Sequence, residues 1–204
     1  MAGETGCAGD AEAVADLRFG TARLDIVPFT PELMCMALND RGALAARLGV
    51  RIPDAWPNAA FAEVLPMLVA ATRDDPTIGG RGWTGLMLHR AEGVLVGELG
   101  SLGGPDADGV VEIGYGVVPD YRGRGLATEA VAGIVAWLAA QTGVRGVVAT
   151  CEPDNAPSIR VLEKVGGWPR TGGTLLEWTL WTAAPPIGRP PISGADQRPL
   201  VGRR

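Results

Sequence analysis

The sequence predicts a mixed α/β fold, with a mostly antiparallel central sheet and helices on both of its faces. Two observations lead to this prediction. Three strand-like runs follow one another between residues 83 and 118, and consecutive strands favour antiparallel pairing. A strand–helix–strand pattern then covers residues 110–151, which is typical of a parallel crossover.

The first part of the chain predicts one strand and two helices. Residues 22–27 alternate between apolar and polar side chains, as in a half-buried strand. Thr30-Pro31-Glu32 combines a capping hydroxyl, a proline in the first turn and an early acid, and so marks a helix start. Apolar residues at helical spacing predict a second helix over residues 59–72, after a rigid, proline-containing loop at residues 53–58.

The middle of the chain predicts the three consecutive strands. The first two cover residues 83–89 and 93–102, and residues 90–92 form a short hairpin turn between them. Residues 105–109 are rich in proline, aspartate and glycine and predict a turn. The third strand follows at residues 110–118.

The second half of the chain predicts two helices alternating with two strands. The first helix covers residues 128–141 and is followed by a strand at residues 146–151. The second helix covers residues 156–165, and a closing strand lies at residues 175–182. An apolar stripe faces one side of the first helix. It consists of Leu126, Ala130, Ile134 and Leu138.

A single folded domain is expected over residues 21–182. The small, acidic residues 1–20 are expected to be flexible, because chain termini of this kind carry little to anchor them. Prolines dominate residues 183–204, which we expect to be a disordered tail.

Composition and charge exclude several classes of protein. With 18 basic and 23 acidic residues the net charge is −5, which argues against a general nucleic-acid binder. No apolar run reaches the roughly 18 residues of a membrane span, and the acidic N-terminus lacks the basic start of a signal peptide. The three cysteines match no metal template, so no metal is expected. We expect a cytoplasmic protein, and its near-exclusive use of arginine over lysine suggests a GC-rich bacterial gene.

The segment between residues 115 and 128 carries the clearest chemical signal. A strand ends there, and a turn with two arginines and two glycines leads into the apolar-striped helix. Free N–H groups at a helix start favour a phosphate, and the glycines allow its close approach to the backbone. Taken alone, the same pattern also fits a turn whose arginines are only solvated.

Two motifs in this chain resemble those of the Gcn5-related N-acetyltransferase (GNAT) superfamily. Arg122-x-x-Gly125-x-Ala127 resembles the acetyl-CoA pyrophosphate motif Q/R-x-x-G-x-G/A. Residues 155–166 are similar to N-x-x-S-x-x-x-x-E-K-x-G, a signature of the branch that includes the ribosomal-protein N-terminal acetyltransferases. The motifs occur in the family's order, and the resemblance spans residues 21–182.

This resemblance implies a sheet whose two signature strands splay apart and hold acetyl-CoA, as co-substrate, in the notch between them. Pantetheine would bond to the backbone, the strand-to-helix turn would hold the pyrophosphate, and the next helix would line the other side. Asn155 is also an ordinary helix N-cap, and both roles stay open. The implied cofactor-binding residues are Val117, Val118, Arg122, Gly123, Arg124, Gly125, Leu126, Ala127, Thr128, Asn155 and Ser158.

Candidate catalytic groups follow from what amine acetylation requires. The amine must lose a proton, and the leaving thiolate must be stabilised. Glu112 is the preferred base, with Glu152 as the alternative, and the resemblance makes Ser158 the partner of the thiolate. Many superfamily members carry a tyrosine acid on the second helix, but Leu162 stands there in this chain. Tyr115 is expected in the core.

Three functions compete on these observations. The leading one is an acetyl-CoA-dependent N-acetyltransferase that acts by direct attack of a primary amine, from a small molecule or a protein N-terminus. The alternative is a non-catalytic acyl-CoA-binding or regulatory module, favoured by Leu162 and by Gly166-Gly167-Trp168 where the family usually has Gly-Phe. A third is another α/β enzyme with a phosphate-bearing ligand. An exposed edge strand would also allow a homodimer.

Overall fold

The computed structural model describes residues 17–74, 83–101, 103–170 and 174–181. Within these residues it contains eight strands and five helices. The strands are β1 (Phe19–Gly20), β2 (Leu24–Pro28), β3 (Thr84–His89), β4 (Val94–Ser101), β5 (Val110–Val117), β6 (Gly146–Cys151), β7 (Trp168–Arg170) and β8 (Leu176–Trp181). The helices are α1 (Pro31–Asn39), α2 (Arg41–Leu48), α3 (Ala59–Asp74), α4 (Leu126–Ala139) and α5 (Ala156–Val165).

One sheet contains all eight strands in the order β1-β2-β3-β4-β5-β6-β8-β7. Every neighbouring pair is antiparallel except β5 and β6, which run parallel. The parallel pair is the crossover through α4, because two parallel neighbours need a long connection. The predicted fold class, a mixed and mostly antiparallel sheet with helices packed on it, is confirmed.

Helix α4 lies across the sheet and contacts β5 as well as β1, β2, β4 and β6. Its predicted apolar stripe is the face that packs against the strands. All four stripe residues are buried: Leu126, Ala130, Ile134 and Leu138. The helix begins at Leu126, two residues earlier than predicted, because Gly125 in the left-handed conformation (φ 79°) already forms its N-cap.

Besides the short β1, two elements were absent from the prediction. Helix α2 is capped by Asp40, whose Oδ1 accepts from the N–H of Ala43 at 2.8 Å, and it ends at Gly49 with φ 67°. Strand β7 pairs with β8 directly after α5. Gly166 (φ 92°) ends α5, and a Cβ at Gly167 would meet Leu180, so the Gly166-Gly167 pair turns the chain back onto the sheet.

The sheet begins within the N-terminal segment that was expected to be flexible. Leu17 is buried, and β1 pairs with β2. Glu129 of α4 fastens this end of the chain, because it accepts from the backbone N–H and the guanidinium of Arg23, each at 2.7 Å. Residues 1–16 and the proline-rich tail lie outside the described residues. In the part of the chain that is described, no helix has the length and apolar character needed to cross a membrane.

Candidate functional site

A notch opens between β5 and β6. The two strands pair only from Val110 to Glu112, opposite Gly146 to Val148, although β5 continues to Val117 and β6 to Cys151. Past Glu112, therefore, β5 has only β4 as a backbone partner among the described residues. Its other edge is free to bond an amide-rich ligand, as strands do in β-augmentation.

Alternation along β5 decides which backbone groups face this notch. The N–H of Val118 donates to the C=O of Val96 in the neighbouring strand β4 at 2.9 Å. The C=O of Val118 accepts from the N–H of Tyr121 at 3.0 Å. Because successive residues of an antiparallel strand bond to opposite sides, Val117, Tyr115 and Ile113 present their backbone groups to the notch. Of the two valines expected to bind pantetheine, Val117 presents its backbone to the notch. The backbone groups of Val118 are instead hydrogen-bonded to Val96 and Tyr121.

The turn after β5 leaves the start of α4 without a side-chain cap. Gly123 (φ 74°) and Gly125 (φ 79°) both adopt the left-handed conformation that glycine tolerates. The first N–H groups of a helix have no intrahelical acceptor, so those of Leu126, Ala127 and Thr128 are available to an anion. The side chain of Leu126 is buried, so this residue takes part only through its backbone.

Two arginines flank the turn in different ways. Arg122 donates from Nε to the C=O of Val117 at 2.9 Å, which ties the turn to the end of β5. Arg124 lies over the ring of Tyr121, 4.5 Å from its centroid, and its Nη1 is 3.3 Å from Glu92 Oε1. Both side chains are exposed, and they bring positive charge to the α4 N-terminus.

Helix α5 forms the other wall of the notch. Asn155 is its N-cap, with Oδ1 accepting from the N–H of Ser158 at 3.2 Å, so the predicted capping role is confirmed. Both residues line a cavity of about 350 Å³ together with Cys151 and Glu152.

Tyr115 bridges the notch, which the sequence did not predict. Its hydroxyl donates to the C=O of Ser158 at 3.4 Å, and burial raises its pKa to about 12. The side chain is half-buried, packs against the core as expected and also lines both cavities. Leu162 is buried in the core, so α5 contributes no tyrosine, and β5 supplies one to the notch instead.

A larger cavity of about 630 Å³ lies on the other side of Tyr115, between β4, β5 and the start of α3. It meets the smaller one at Ile113, Gly114, Tyr115 and Thr150, which line both. Glu112 is exposed in the larger cavity, and its Oε1 accepts at 2.7 Å from the hydroxyl of Thr150, which lines both cavities. The two predicted catalytic residues, Glu112 and Ser158, therefore line adjoining cavities.

Glu98 of β4 lines the larger cavity and was missed by the sequence analysis. Its side chain is buried, and each carboxylate oxygen accepts a hydrogen bond at 2.7 Å, one from Trp56 Nε1 and one from Asn58 Nδ2. Burial raises its pKa to about 7, although both hydrogen bonds act in the opposite direction. A pKa near neutrality suits a group that exchanges protons at physiological pH.

The residues around Glu98 leave space for its carboxylate and hold its hydrogen-bond partners in place. It lies opposite Gly116 of β5, where a Cβ would collide with Glu98 Oε1 and with the Asn58 amide. Asn58 cannot reverse its amide freely, because its Oδ1 caps α3 by accepting from the N–H of Phe61 at 3.0 Å. Arg41 of α2 holds the loop that carries Trp56 by donating to the backbone carbonyls of Trp56 and Pro53.

A sequence signal for Glu98 did exist. It is the single carboxylate of an otherwise uncharged, mostly apolar strand, and the structure shows all eight residues of that strand to be buried. A charged residue is rarely buried without a partner or a function, so such a position deserves the same scrutiny as a motif. Its partners, however, lie 42 and 40 residues earlier in the chain.

The comparisons with known proteins agree with the interpretation drawn from the geometry of the site. A model of the acetyltransferase (GNAT) domain family matches residues 35–167, more than half of the chain. The chain belongs to the GNAT family. This confirms the family that the motifs at residues 122–127 and 155–166 indicated, and with it the enzyme class, an N-acetyltransferase.

Relatives and solved structures agree with this membership. The uncharacterized N-acetyltransferase YjdG of Bacillus subtilis (strain 168) is 32% identical over 137 residues, which cover 67% of this chain and 80% of the relative. RimJ of Mycobacterium smegmatis, solved in complex with CoA-disulfide, shares the fold with a TM-score of 0.53 and 21% identity, covering 78% of this chain and 81% of that chain. The ribosomal-protein-S5-alanine acetyltransferase from Vibrio fischeri has a TM-score of 0.55 at 15% identity, covering 82% of this GNAT chain and 97% of its own.

Proposed function

We propose that this GNAT protein transfers the acetyl group of acetyl-CoA to a primary amine by direct attack of the amine on the thioester. The observation that carries the proposal is the junction of two cavities at Gly114 and Tyr115. One lies in the notch and is lined by Asn155 and Ser158 at the start of α5, and the other is lined by carboxylates that suit an ammonium.

The residues present fit acetyl-CoA as the co-substrate. The amides of Leu126, Ala127 and Thr128 point to where a pyrophosphate would lie, with the charges of Arg122 and Arg124 beside them. The notch edge of β5 at Val117 and Tyr115 offers donors and acceptors for the amides of pantetheine. Asn155 and Ser158 line the facing wall.

Glu112 and Ser158 are proposed as the catalytic pair. Glu112 accepts a proton from the attacking nitrogen, directly or through one water, and its hydrogen bond from Thr150 fixes the carboxylate at the cavity boundary. The Ser158 hydroxyl donates to the sulfur as the C–S bond breaks. Tyr115, whose high pKa keeps it protonated, is a second hydroxyl in the same notch.

A covalent acyl-enzyme on Cys151 is disfavoured. The thiol is buried, and burial raises its pKa, which lowers the fraction of nucleophilic thiolate. Direct attack needs no such intermediate, and the two cavities that would hold the substrates adjoin at Gly114 and Tyr115.

The finer features remain part of the proposal. The acceptor amine belongs to a small molecule or a protein N-terminus, and we propose that the protein works in the bacterial cytoplasm without metal, nucleic-acid or membrane partners. A homodimer through an edge of the sheet is consistent with β1 and β7 being the outermost strands.

Thiol release from acetyl-CoA tests the proposal directly. The purified protein is incubated with acetyl-CoA and a panel of small amines and N-terminal peptides, and free thiol is measured. We expect release with at least one amine and losses of about 100-fold in kcat for Glu112→Gln and about tenfold for Ser158→Ala. Glu63→Gln, an exposed glutamate on α3, serves as the charge-matched control.

Two results would overturn the proposal. One is no acetyl-CoA binding at high micromolar concentration. The other is tight acetyl-CoA binding without thiol release from any amine, which is the behaviour of a non-catalytic acyl-CoA-binding module. Competition by ATP or NAD but not by CoA would point instead to a different phosphate-bearing ligand.

A further inference from the structure

Strand β5 forms the floor of the larger cavity, and the space above Gly114, between the carboxylates of Glu112 and Glu98, is open. Glu112, Gly114 and Gly116 follow one another at alternate positions of β5 and share one face of the strand. Glu98 lies opposite Gly116 and occupies the space over it. Over Gly114, in contrast, an added Cβ would meet nothing within 4 Å.

The spacing of this strand places the open floor between both acids. Two residues along a strand span about 7 Å, so Gly114 is about that far from Glu112 on one side and from Gly116, with Glu98 above it, on the other. Gly114 also lies at the boundary of the two cavities and at the start of the notch edge. A group seated over it would reach both the notch and the two carboxylates.

The charge of the cavity has a single sign. The titratable residues that line it are Glu98, Asp106, Glu112, Tyr115 and Glu177. Among the described lining residues there is no lysine, arginine or histidine. A cationic group would therefore be stabilised here, and a carboxylate on the acceptor would be repelled.

The opposite wall is apolar. Helix α3 contributes Ala60, Phe61, Val64 and Leu68 to the cavity. Val64 lies one helical turn after Ala60 and Phe61, and Leu68 one turn after Val64, so the four form a continuous apolar strip. An aliphatic or aromatic body of an acceptor would pack against this strip while its charged end faces the acids.

On this geometry, and resting on the proposed acetyl transfer, we propose that the acceptor ammonium binds over Gly114 and that Glu98 removes its first proton. The acceptor class is then a primary amine with an apolar body and no anionic group next to the amine. Glu98 and Glu112 divide the work, because acetylation of an ammonium releases two protons.

The proton balance assigns one step to each carboxylate. The ammonium R–NH₃⁺ gives a proton to the Glu98 carboxylate and becomes R–NH₂, which forms the C–N bond to the thioester carbon. The resulting R–NH₂⁺ centre gives its proton to Glu112. The C–S bond breaks, the sulfur takes a proton from the Ser158 hydroxyl, Glu112 restores that hydroxyl, and Glu98 returns its proton to solvent. The products are the acetamide, CoA thiol and one proton.

The buried, hydrogen-bonded position of Glu98 suits it to remove the first proton from the ammonium. Both of its protein partners, the Trp56 indole and the Asn58 amide, donate to it, so the carboxylate is oriented and keeps a free lone pair on each oxygen. Its side chain is buried, and a charge interaction with an ammonium is stronger there than at an exposed site.

A matched series of three amines tests the acceptor class. They are 2-phenylethylamine, phenylalaninamide and phenylalanine, which share the aromatic body and the amine but differ in a hydrogen, a neutral amide or a carboxylate beside it. We expect kcat/KM for the first two to exceed that for phenylalanine at least about tenfold. Equal or better use of phenylalanine would overturn the inference.

The pH profile tests the role of Glu98. For the wild type, kcat/KM should rise with pH and level off above about 7, where the Glu98 carboxylate of the free enzyme becomes ionised. Glu98→Gln should lower kcat/KM about 100-fold and remove this rise, while CoA affinity stays unchanged. Glu63→Gln should keep the wild-type profile. An unchanged rise in Glu98→Gln would overturn the inference and leave the proposed acetyl transfer standing.

A second variant guards against misfolding of Glu98→Gln. Gly114→Val adds side-chain atoms to open space in an ordinary strand conformation, so the fold should stay intact, with an unchanged unfolding midpoint. The added methyl groups would occupy the ammonium position, and kcat/KM for 2-phenylethylamine should fall at least about tenfold. Wild-type activity in Gly114→Val would place the amine elsewhere. If the wild type releases no thiol with any amine, the proposed acetyl transfer itself fails.

Discussion

The notch and the larger cavity differ in whether backbone or side-chain groups line them. On the notch side, the groups proposed to bind the co-substrate are mainly backbone: the edge of β5 at Val117 and the amides at the start of α4. On the cavity side, they are side chains, with Glu98 buried and bonded to Trp56 and Asn58. Backbone groups hold their geometry wherever the strand and helix form, whereas a buried carboxylate needs each of its partners in place.

This difference suits the two ligands. A notch made of backbone can accept the same co-substrate in many relatives with little dependence on individual side chains. A cavity made of side chains is the part that can change from one acceptor to another. Variants of this chain should therefore separate into those that affect CoA and those that affect the amine.

The largest effect is expected for Gly116→Val on the cavity side. The new side chain would collide with Glu98 Oε1 and the Asn58 amide, which are both held by hydrogen bonds. We expect a loss of about 100-fold in kcat/KM for the amine and of about 1–3 kcal/mol in the free energy of unfolding. Steady-state kinetics and urea unfolding measure these, and CoA affinity should stay within about threefold. A parallel loss of CoA affinity would contradict the separation of the two sides.

Gly125→Val is the counterpart on the notch side. A β-branched residue in the left-handed conformation that Gly125 adopts (φ 79°) costs about 1–2 kcal/mol and would rearrange the first amides of α4. CoA affinity, measured by calorimetry, should fall about tenfold, which corresponds to about 1.4 kcal/mol. The preference among amines should not change, and a changed preference would show that the turn also shapes the acceptor cavity.

Glu129→Gln tests the contacts by which α4 holds Thr21 and Arg23 near the N-terminal end of the described chain. Burial alone would raise the pKa of Glu129, but hydrogen bonds from Thr21 and Arg23 and the charge of Arg23 hold it below its usual value of 4.5. Because the folded-state pKa is lowered, this stabilisation is present above that value and is lost as the pH falls through the folded pKa. Glu129→Gln should therefore lower the free energy of unfolding by about 1–3 kcal/mol at pH 7.

The pH dependence provides the check on this prediction. Arg23 also donates to the C=O of Arg124 at 2.9 Å, so the same variant should weaken CoA binding slightly. Wild type and Glu129→Gln should converge in stability in strong acid, where the carboxyl is protonated. A constant difference from neutral pH into acid would show that the charge of Glu129 is not what stabilises this end of the chain.

The smallest effect is expected at Asn155, where capping and ligand contact overlap. Asn155→Ala should cost about 1 kcal/mol of stability through loss of the N-cap. Asp caps a helix as well as Asn does, so Asn155→Asp should restore stability. If Asn155 also contacts CoA, Asn155→Asp will not restore CoA affinity, because its charge would oppose the phosphates. Full recovery of both would leave capping as its role.

The two sides also differ in how much of them the sequence reveals. Residues 122–128 and 155–158 are local, since a turn and a helix cap are formed by neighbours in the chain, and both could be predicted before the fold was known. The start of α4 was misplaced by two residues because Gly125, not Thr128, sets it. These local patterns indicated the family, and the resemblance to that family implied the notch between two splayed strands.

The cavity side depends on long-range contacts that no local pattern encodes. Glu98 meets Trp56 and Asn58 from a loop far earlier in the chain and Gly116 from the next strand. Tyr115 was expected in the core and does pack against it, but the splay of β5 and β6 also leaves its side chain beside two cavities. Whether a strand loses its neighbour is a property of the sheet, and it cannot be read from one strand.

A crystal structure with CoA and 2-phenylethylamine tests the central claim most directly. The account predicts the phosphates at the N-terminus of α4, pantetheine along β5 at Val117, and the amine nitrogen over Gly114, in hydrogen-bond reach of Glu98 directly or through one water. The phenyl ring should lie against Phe61 and Val64 of α3. An amine that binds outside the Glu98 cavity while CoA occupies the notch would contradict it.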